Sequence, residues 1–304
     1  MKLLVTGCHG QLALSLARQA AAIDWLEPVF AGRPGLDLGR PETFAGAVDR
    51  VAPGVIINAA AFTNVDQAED EPDLAMRLNG DAAGALARVA RERNIPIIHI
   101  STDYVFDGVC KGPYREDDAP APASAYGRSK LVGEEQVRAA TPDHLIVRTA
   151  WLYSPFGHNF VKTIMRLASE RDELAVVDDQ VGNPSSALDL ADGLIALLGR
   201  WRRQPVGFGQ TYHLAGSGSC SWFDFANAIM AASRRAGGPS ARVRPVATTD
   251  WPTTAPRPAN SMLDSTRFAT DFGFRMPDWR VSLGQVVTEL ARSAANPVYP
   301  AQNS

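Results

Sequence analysis

Cysteine is scarce: the 304 residues hold three, Cys8, Cys110 and Cys220. They are far apart, odd in number and never in C-x-x-C spacing. That argues against a disulfide framework and a structural zinc, and favours a reducing compartment. Long hydrophobic runs are missing as well. No segment approaches the roughly 20 apolar residues of a membrane span. The first apolar run, Lys2-Leu-Leu-Val5, passes straight into glycines and reads as a strand, so no secretory signal is expected. Charge of one sign is also lacking. A net charge of −3, with no basic stripe, implies no field-driven affinity for nucleic acid or membrane. No internal repeat or low-complexity tract stands out. The expectation is a cytoplasmic soluble protein of ordinary globular composition, 45% apolar and 21% charged.

What is present is an alternation of strands and helices. Leu3 to Thr6 reads as a strand, followed by Gly7-Cys-His-Gly10-Gln-Leu-Ala13 and an amphipathic run to about Ala22. Strand, glycine turn and helix form the setting in which such spacing can cradle a pyrophosphate, because the helix N-terminus offers free N–H groups. A tight turn is the plainer reading of the same residues. The second strand, Pro28 to Ala31, is followed by Gly-Arg33 where NAD-type sites often place an acid. The Arg33 fork suits a 2′-phosphate, or is a solvated surface arginine. Pro53 to Asn58 is a fully apolar strand, as in a sheet covered on both faces, and ends in Ala59-Ala-Ala61. A helical pattern from Pro72 to Arg93 is broken near Asn79-Gly80. Further strands are expected at Ile95–Ile100 and His144–Arg148.

This order predicts an α/β fold, a doubly wound parallel sheet of Rossmann type with a smaller C-terminal substrate-binding domain. Residues 1–150 form the dinucleotide-binding domain. Residues 151–295 are mainly substrate-binding, with about 185–215 returning to the first domain, and 296–304 are a tail. Pro245 to Pro258 reads as a loop, and Leu263-Asp264 as the start of another helical piece.

The chemistry gathers between His99 and Lys130. Tyr126 and Lys130 share one helical face. Thr102 follows an apolar run, at a strand's C-terminal end, where ligands bind in such sheets. An ammonium beside a phenol is expected to lower the phenol's pKa, making Tyr126 a workable acid toward a carbonyl that receives hydride. Y-x-x-x-K alone also describes a surface helix with a half-buried tyrosine. The strand-end hydroxyl and the nucleotide turn are what give it weight.

The glycine turn, Thr102 and Tyr126-x-x-x-Lys130 resemble the extended short-chain dehydrogenase/reductases. Several blocks are similar to the dTDP-4-dehydrorhamnose reductase family: Asn58–Glu69, Ser101–Gly108, Tyr126–Glu134, Arg148–Trp151, Asn159–Thr163, Asp179–Pro184, Tyr212–Gly216 and Arg257–Ser261. That resemblance implies reduction of the 4-keto group of dTDP-4-dehydro-L-rhamnose by NADPH, with NADH as an alternative. It makes Tyr126 the proton donor, Lys130 a ribose ligand, and Thr102 and Asp103 sugar contacts that tune the acid. Trp151 would pack on the sugar. Gly7, Gly10, Gln11, Leu12, Asp37, Leu38, Ala61, Phe62 and Thr63 would line the dinucleotide site, and Arg257 and Asn260 would lie over the nucleotide diphosphate. For Arg257 a structural salt bridge is the other reading. A homodimer is compatible with the resemblance. At the positions aligned with the family's magnesium ligands stand Ser15 and Leu188, so no metal is expected. A dehydratase would want an acidic pair after Thr102, but Tyr104 follows Asp103. A non-catalytic regulatory homologue stays open, as does another sugar-nucleotide reductase or epimerase.

Overall fold

The computed structural model describes residues 1–295; the expected tail, 296–304, lies outside the described residues. Six strands form one wholly parallel sheet. Their spatial order is Gln210–His213, His144–Thr149, Ile97–Thr102, Val55–Asn58, Lys2–Thr6 and Glu27–Ala31. The first and third strands in sequence are neighbours, and the chain winds outward from them in both directions. That is the switch point at which doubly wound sheets bind ligands.

The strand residues divide between two helix layers with the period-2 alternation of a pleated sheet. Leu3, Val5, Val55, Ile57 and Ile98 pack on one face, with Leu12, Leu16, Leu190 and Leu194 from the helices Gln11–Ala20 and Ala187–Arg203. Leu4, Ile56 and Ile97 pack on the other, with Phe44, Leu86 and Val137 from Glu42–Val51, Ala82–Glu92 and Ala125–Ala140. Being apolar on both sides is what the uninterrupted Val55-Ile-Ile57 run encodes.

A second core lies beyond Trp151. Helices Phe160–Glu170, Trp222–Arg235 and Trp279–Ala295 enclose Tyr153, Ile164, Phe225, Ile229, Trp279 and Val286. Here the strand Arg242–Val246 runs parallel to Glu173–Val177. The sequence reading treated Pro245 onward as loop, but a proline is tolerated on an edge strand. The expected break at Asn79-Gly80 is instead a π-helical turn, Arg77–Asp81, within a continuing helical stretch. The helix expected from Leu263 begins at Thr266. Among the described residues no helix is long and apolar enough to cross a membrane.

Candidate active site

The first strand ends at Thr6, and its hydroxyl organises the switch point. Thr6 Oγ1 donates to Asn58 Oδ1 at 2.9 Å and accepts the N–H groups of Ala59 at 3.0 Å and Ala60 at 2.9 Å. Gly7 follows with φ +88°, a conformation glycine adopts without strain, and there the chain passes Ala60 closely. The helix then starts at Gln11, and no side chain caps its N-terminus. Its free N–H groups therefore remain available to an anion.

A cavity of about 1260 Å³ opens over these strand ends. Its walls bring together Gly7, Gly10, Gln11, Leu12, Arg33, Asp37, Leu38, Ala61, Phe62, Thr63, Thr102, Asp103, Tyr126, Lys130 and Trp151. Arg257 and Asn260 are not among its lining residues. Arg257 forms a 2.7 Å ion pair with Asp66, the salt bridge left open by the sequence, while one buried nitrogen, Nη1, has no partner. The Asn260 amide donates to the Cys110 and Gly112 carbonyls at 2.7 and 2.8 Å and accepts from Met262 N, so it staples loops together. Gln11 is likewise engaged. Its Nε2 donates to Leu152 O at 3.3 Å, and its Oε1 accepts from Ser154 Oγ and Asn159 Nδ2 at 2.9 and 3.1 Å. Asp37 accepts from Gly39 N and donates its own N–H to Thr43, closing its turn. The exposed Arg33 makes no ion pair or hydrogen bond among the described residues.

Thr102 ends the strand Ile97–Thr102, and Tyr126 and Lys130 lie on the helix Ala125–Ala140, which Ser124 caps through Gly127 N at 3.0 Å. Thr102 Oγ1 donates to Asp103 Oδ1 at 2.9 Å and accepts from Tyr104 N at 3.3 Å. Burial raises the Asp103 carboxyl to about 6, against hydrogen bonds from Thr102 and Ser261. Its Oδ2 is buried without a partner. Lys130 Nζ donates to Ile100 O at 2.7 Å, and burial lowers its pKa to about 8. The expectation that this ammonium lowers the Tyr126 pKa is corrected. Burial pushes the phenol up to about 12, the Asp103 charge adds to that, and only a Thr102 hydrogen bond opposes it. The lysine charge is turned toward a backbone carbonyl and toward Glu134 instead. Tyr126 is thus a firmly protonated donor.

Trp151 holds φ 46°, an outlier for a bulky residue. It is held there by stacking on Trp222, centroids 3.5 Å apart and 4° from parallel, and by Nε1 donating to Ser261 Oγ at 3.0 Å. Sequence reasoning missed Trp222 and gave Ser261 no role beyond its place in the Arg257–Ser261 block; both support the site from elements far along the chain. It also passed over His9 and His158, which line the cavity. For the histidines the adjacency of His9 to Gly10 was a usable signal; for Trp222 none was.

Comparison with known proteins shows the family of the chain. The family described as RmlD substrate binding domain matches residues 1–292. The chain is 42% identical over 291 residues to a dTDP-4-dehydrorhamnose reductase of Sinorhizobium fredii, covering 95% of this chain and 98% of that one. It is 40% identical over 303 residues to that of Escherichia coli K12, covering 97% and 100%. The crystal structure of a dTDP-4-dehydrorhamnose reductase from Bacillus anthracis in complex with NADP superposes with a TM-score of 0.87 at 34% identity, covering 95% of this chain and 99% of that one. A UDP-glucose 4-epimerase from Brucella ovis shares the fold alone, with a TM-score of 0.79 at 18% identity. The chain belongs to the dTDP-4-dehydrorhamnose reductase family.

Proposed function

We propose that the protein reduces the 4-keto group of dTDP-4-dehydro-L-rhamnose to give dTDP-L-rhamnose, using NADPH, with Tyr126 as proton donor. The observation that carries this reading is that Thr102, Tyr126 and Lys130 face the same cavity as the Gly7–Ala13 turn and its uncapped helix N-terminus. The residues present suit a dinucleotide. Gly7, Gly10 and Ala59 to Ala61 leave the backbone open to close approach, and the cavity is large enough for both cofactor and sugar. When bound, the nicotinamide supplies a hydride to the carbonyl carbon.

The chain's own residues do the rest. Tyr126, protonated at neutral pH, gives its proton to the carbonyl oxygen as charge develops there. The Thr102 hydroxyl would orient that oxygen by turning its proton from Asp103 to it when substrate is bound. Asp103, held by Thr102 at the cavity wall, would contact the sugar. Lys130 would hold the nicotinamide ribose, and Trp151 would pack on the sugar. Gly10, Gln11 and Leu12 would present backbone to the pyrophosphate, and Asp37, Leu38, Ala61, Phe62 and Thr63 would line the rest of the dinucleotide site. Arg33 meets the 2′-phosphate. Arg257, paired with Asp66 outside the cavity, would approach the nucleotide diphosphate from its rim.

The test is an absorbance assay at the nicotinamide band with dTDP-4-dehydro-L-rhamnose and each reduced cofactor. Substrate-dependent oxidation is expected, faster with NADPH. Tight cofactor binding without turnover, together with a stoichiometric partner enzyme in a pull-down, would instead mark a regulatory homologue.

A further inference from the structure

Beside the cavity, which Ser101 lines, lies a largely buried ionic cluster centred on Glu134. This residue is one helical turn beyond Lys130. Its Oε1 accepts from Ser101 Oγ at 2.6 Å and from Arg148 Nε at 2.8 Å. Its Oε2 accepts from Arg148 Nη2 at 2.7 Å and from Arg138 at 2.8 Å. Glu134 and Arg148 are 0% and 2% exposed, whereas Arg138 reaches the surface at 35%.

Each partner adjoins a wall of the site. Ser101 precedes Thr102 in the same strand. Arg148 precedes Thr149, Ala150 and Trp151, which line the cavity. Glu134 itself rides on the helix of Tyr126 and Lys130. One carboxylate thus joins the three elements whose relative placement sets the distances among donor, hydroxyl and lysine. Burying an ion pair this completely is costly, and well-packed apolar residues often serve stability as well or better. Its presence here therefore points to a positional and electrostatic role.

We infer that Glu134 is a positioning residue for the reaction: it locks the Tyr126–Lys130 helix to the two strand ends and sets its carboxylate one turn from the Lys130 ammonium. This rests on the reading of Lys130 as a cofactor ligand. Several groups bear on these two charges. On their own helix stand Tyr126 and Arg138. The strand Ile97–Thr102 supplies Ser101 and the buried His99, with Asp103 just beyond its end. Arg148 and His144 come from the next strand, and His213 from the edge strand. Burial of His99, with the Lys130 charge beside it, keeps that imidazole neutral, so it does not oppose the lysine at neutral pH. Burial alone would protonate Glu134. Arg148, Ser101 and Arg138 outweigh it and hold the carboxylate ionised. Burial moves Lys130 toward neutrality, and the Glu134 charge is what opposes that.

The experiment follows the Lys130 ammonium directly. Lys130 is the only buried member of the chain's four lysines, so isotope-labelled lysine gives it a distinct NMR titration. In Glu134→Gln the Lys130 midpoint is expected to fall by about one pH unit. In Arg138→Met, which leaves Glu134 less neutralised, it is expected to rise. The alkaline limb of kcat/KM, where a lysine losing its proton releases cofactor, should move with it in each variant, while circular dichroism confirms the fold. A folded Glu134→Gln with an unmoved Lys130 midpoint overturns the inference. If that variant does not fold, a midpoint in Arg138→Met that stays or falls does so. Absence of turnover in the unaltered protein would sink the proposed reaction but not this result, because the NMR midpoint does not depend on activity.

Discussion

At the residue scale, the two acids of the site have their protonation set by burial, in ways that can be separated by mutation. Tyr126→Phe removes the phenolic hydroxyl while leaving the ring's packing against Tyr104. It is expected to keep NADPH affinity and to lower kcat by about 10²–10⁴-fold, the span of general acid catalysis. A variant reducing the keto sugar at the unaltered rate would remove Tyr126 from the mechanism. Arg33→Ala is expected to raise KM for NADPH and leave NADH untouched; equal kcat/KM for the two cofactors before and after the change would sink that assignment. Asp103 behaves differently. Its folded pKa, about 6, lies above the 3.8 of a free carboxyl. The folded state therefore binds the proton more tightly. Stability is fully present below about 3.8 and is lost as pH rises through 6, by about 3 kcal/mol at 1.36 kcal/mol per unit. Asp103→Asn, neutral throughout, should be more stable than the parent at pH 8 and not at pH 3.5, while binding substrate less well. Urea unfolding at both pH values measures this, and an equal difference at the two would contradict it.

At the element scale, the tight seating of the Ala125–Ala140 helix decides where Tyr126 points. A Cβ at Gly127 would stand 2.2 Å from Tyr104 O, and one at Gly133 2.2 Å from Asn79 O. Replacing glycine by alanine in an open helix gains up to about 1 kcal/mol. Here the contact is backbone on backbone, and overpacking of this kind costs about 1–3 kcal/mol. Gly127→Ala is therefore expected to lose stability in thermal melts and to lower kcat by displacing Tyr126; a stabilised variant would show that the helix can shift freely. Neither glycine was singled out by sequence, because a glycine within a helical pattern carries no sign of what lies opposite. The strands were legible, since Val55-Ile-Ile57 and Ile97-Ile98 record burial on two faces directly in residue type. So was the neighbourhood of Tyr126, Lys130 and Thr102, because helix spacing and strand ends fix it locally. The left-handed backbone of Trp151, its stack on Trp222 and the stapling role of Asn260 were not legible. Each depends on residues brought from far along the chain, and no local pattern records such a meeting. The charge relation of Lys130 and Tyr126 was misread for a similar reason: spacing showed the shared face, but not the Ile100 carbonyl and Glu134 that draw the ammonium away.

At the scale of the whole molecule, the sheet core and the core beyond Trp151 meet over the cavity, and Gln11 joins them. It begins the helix of the glycine turn and is held by Leu152, Ser154 and Asn159. The cavity is lined from both sides, by Gly7 to Ala13 and by Thr149 to Leu152 with Gly157 and His158. A cofactor filling it would touch both and stabilise the folded chain as a unit. At a hundred times its Kd, NADPH should add about 2.7 kcal/mol, which for a chain of this size raises Tm by roughly 4 °C. Gln11→Ala leaves the backbone N–H groups of the turn in place but frees Ser154 and Asn159 from their shared acceptor. Its expected signature is a small fall in Tm without ligand and a larger loss of the NADPH-dependent rise, because the two walls no longer hold their spacing before the cofactor arrives. Calorimetric titration separates this from simple destabilisation: the NADPH Kd should rise several-fold in Gln11→Ala. A variant with lowered Tm and unaltered Kd would mean that Gln11 joins the cores without shaping the site.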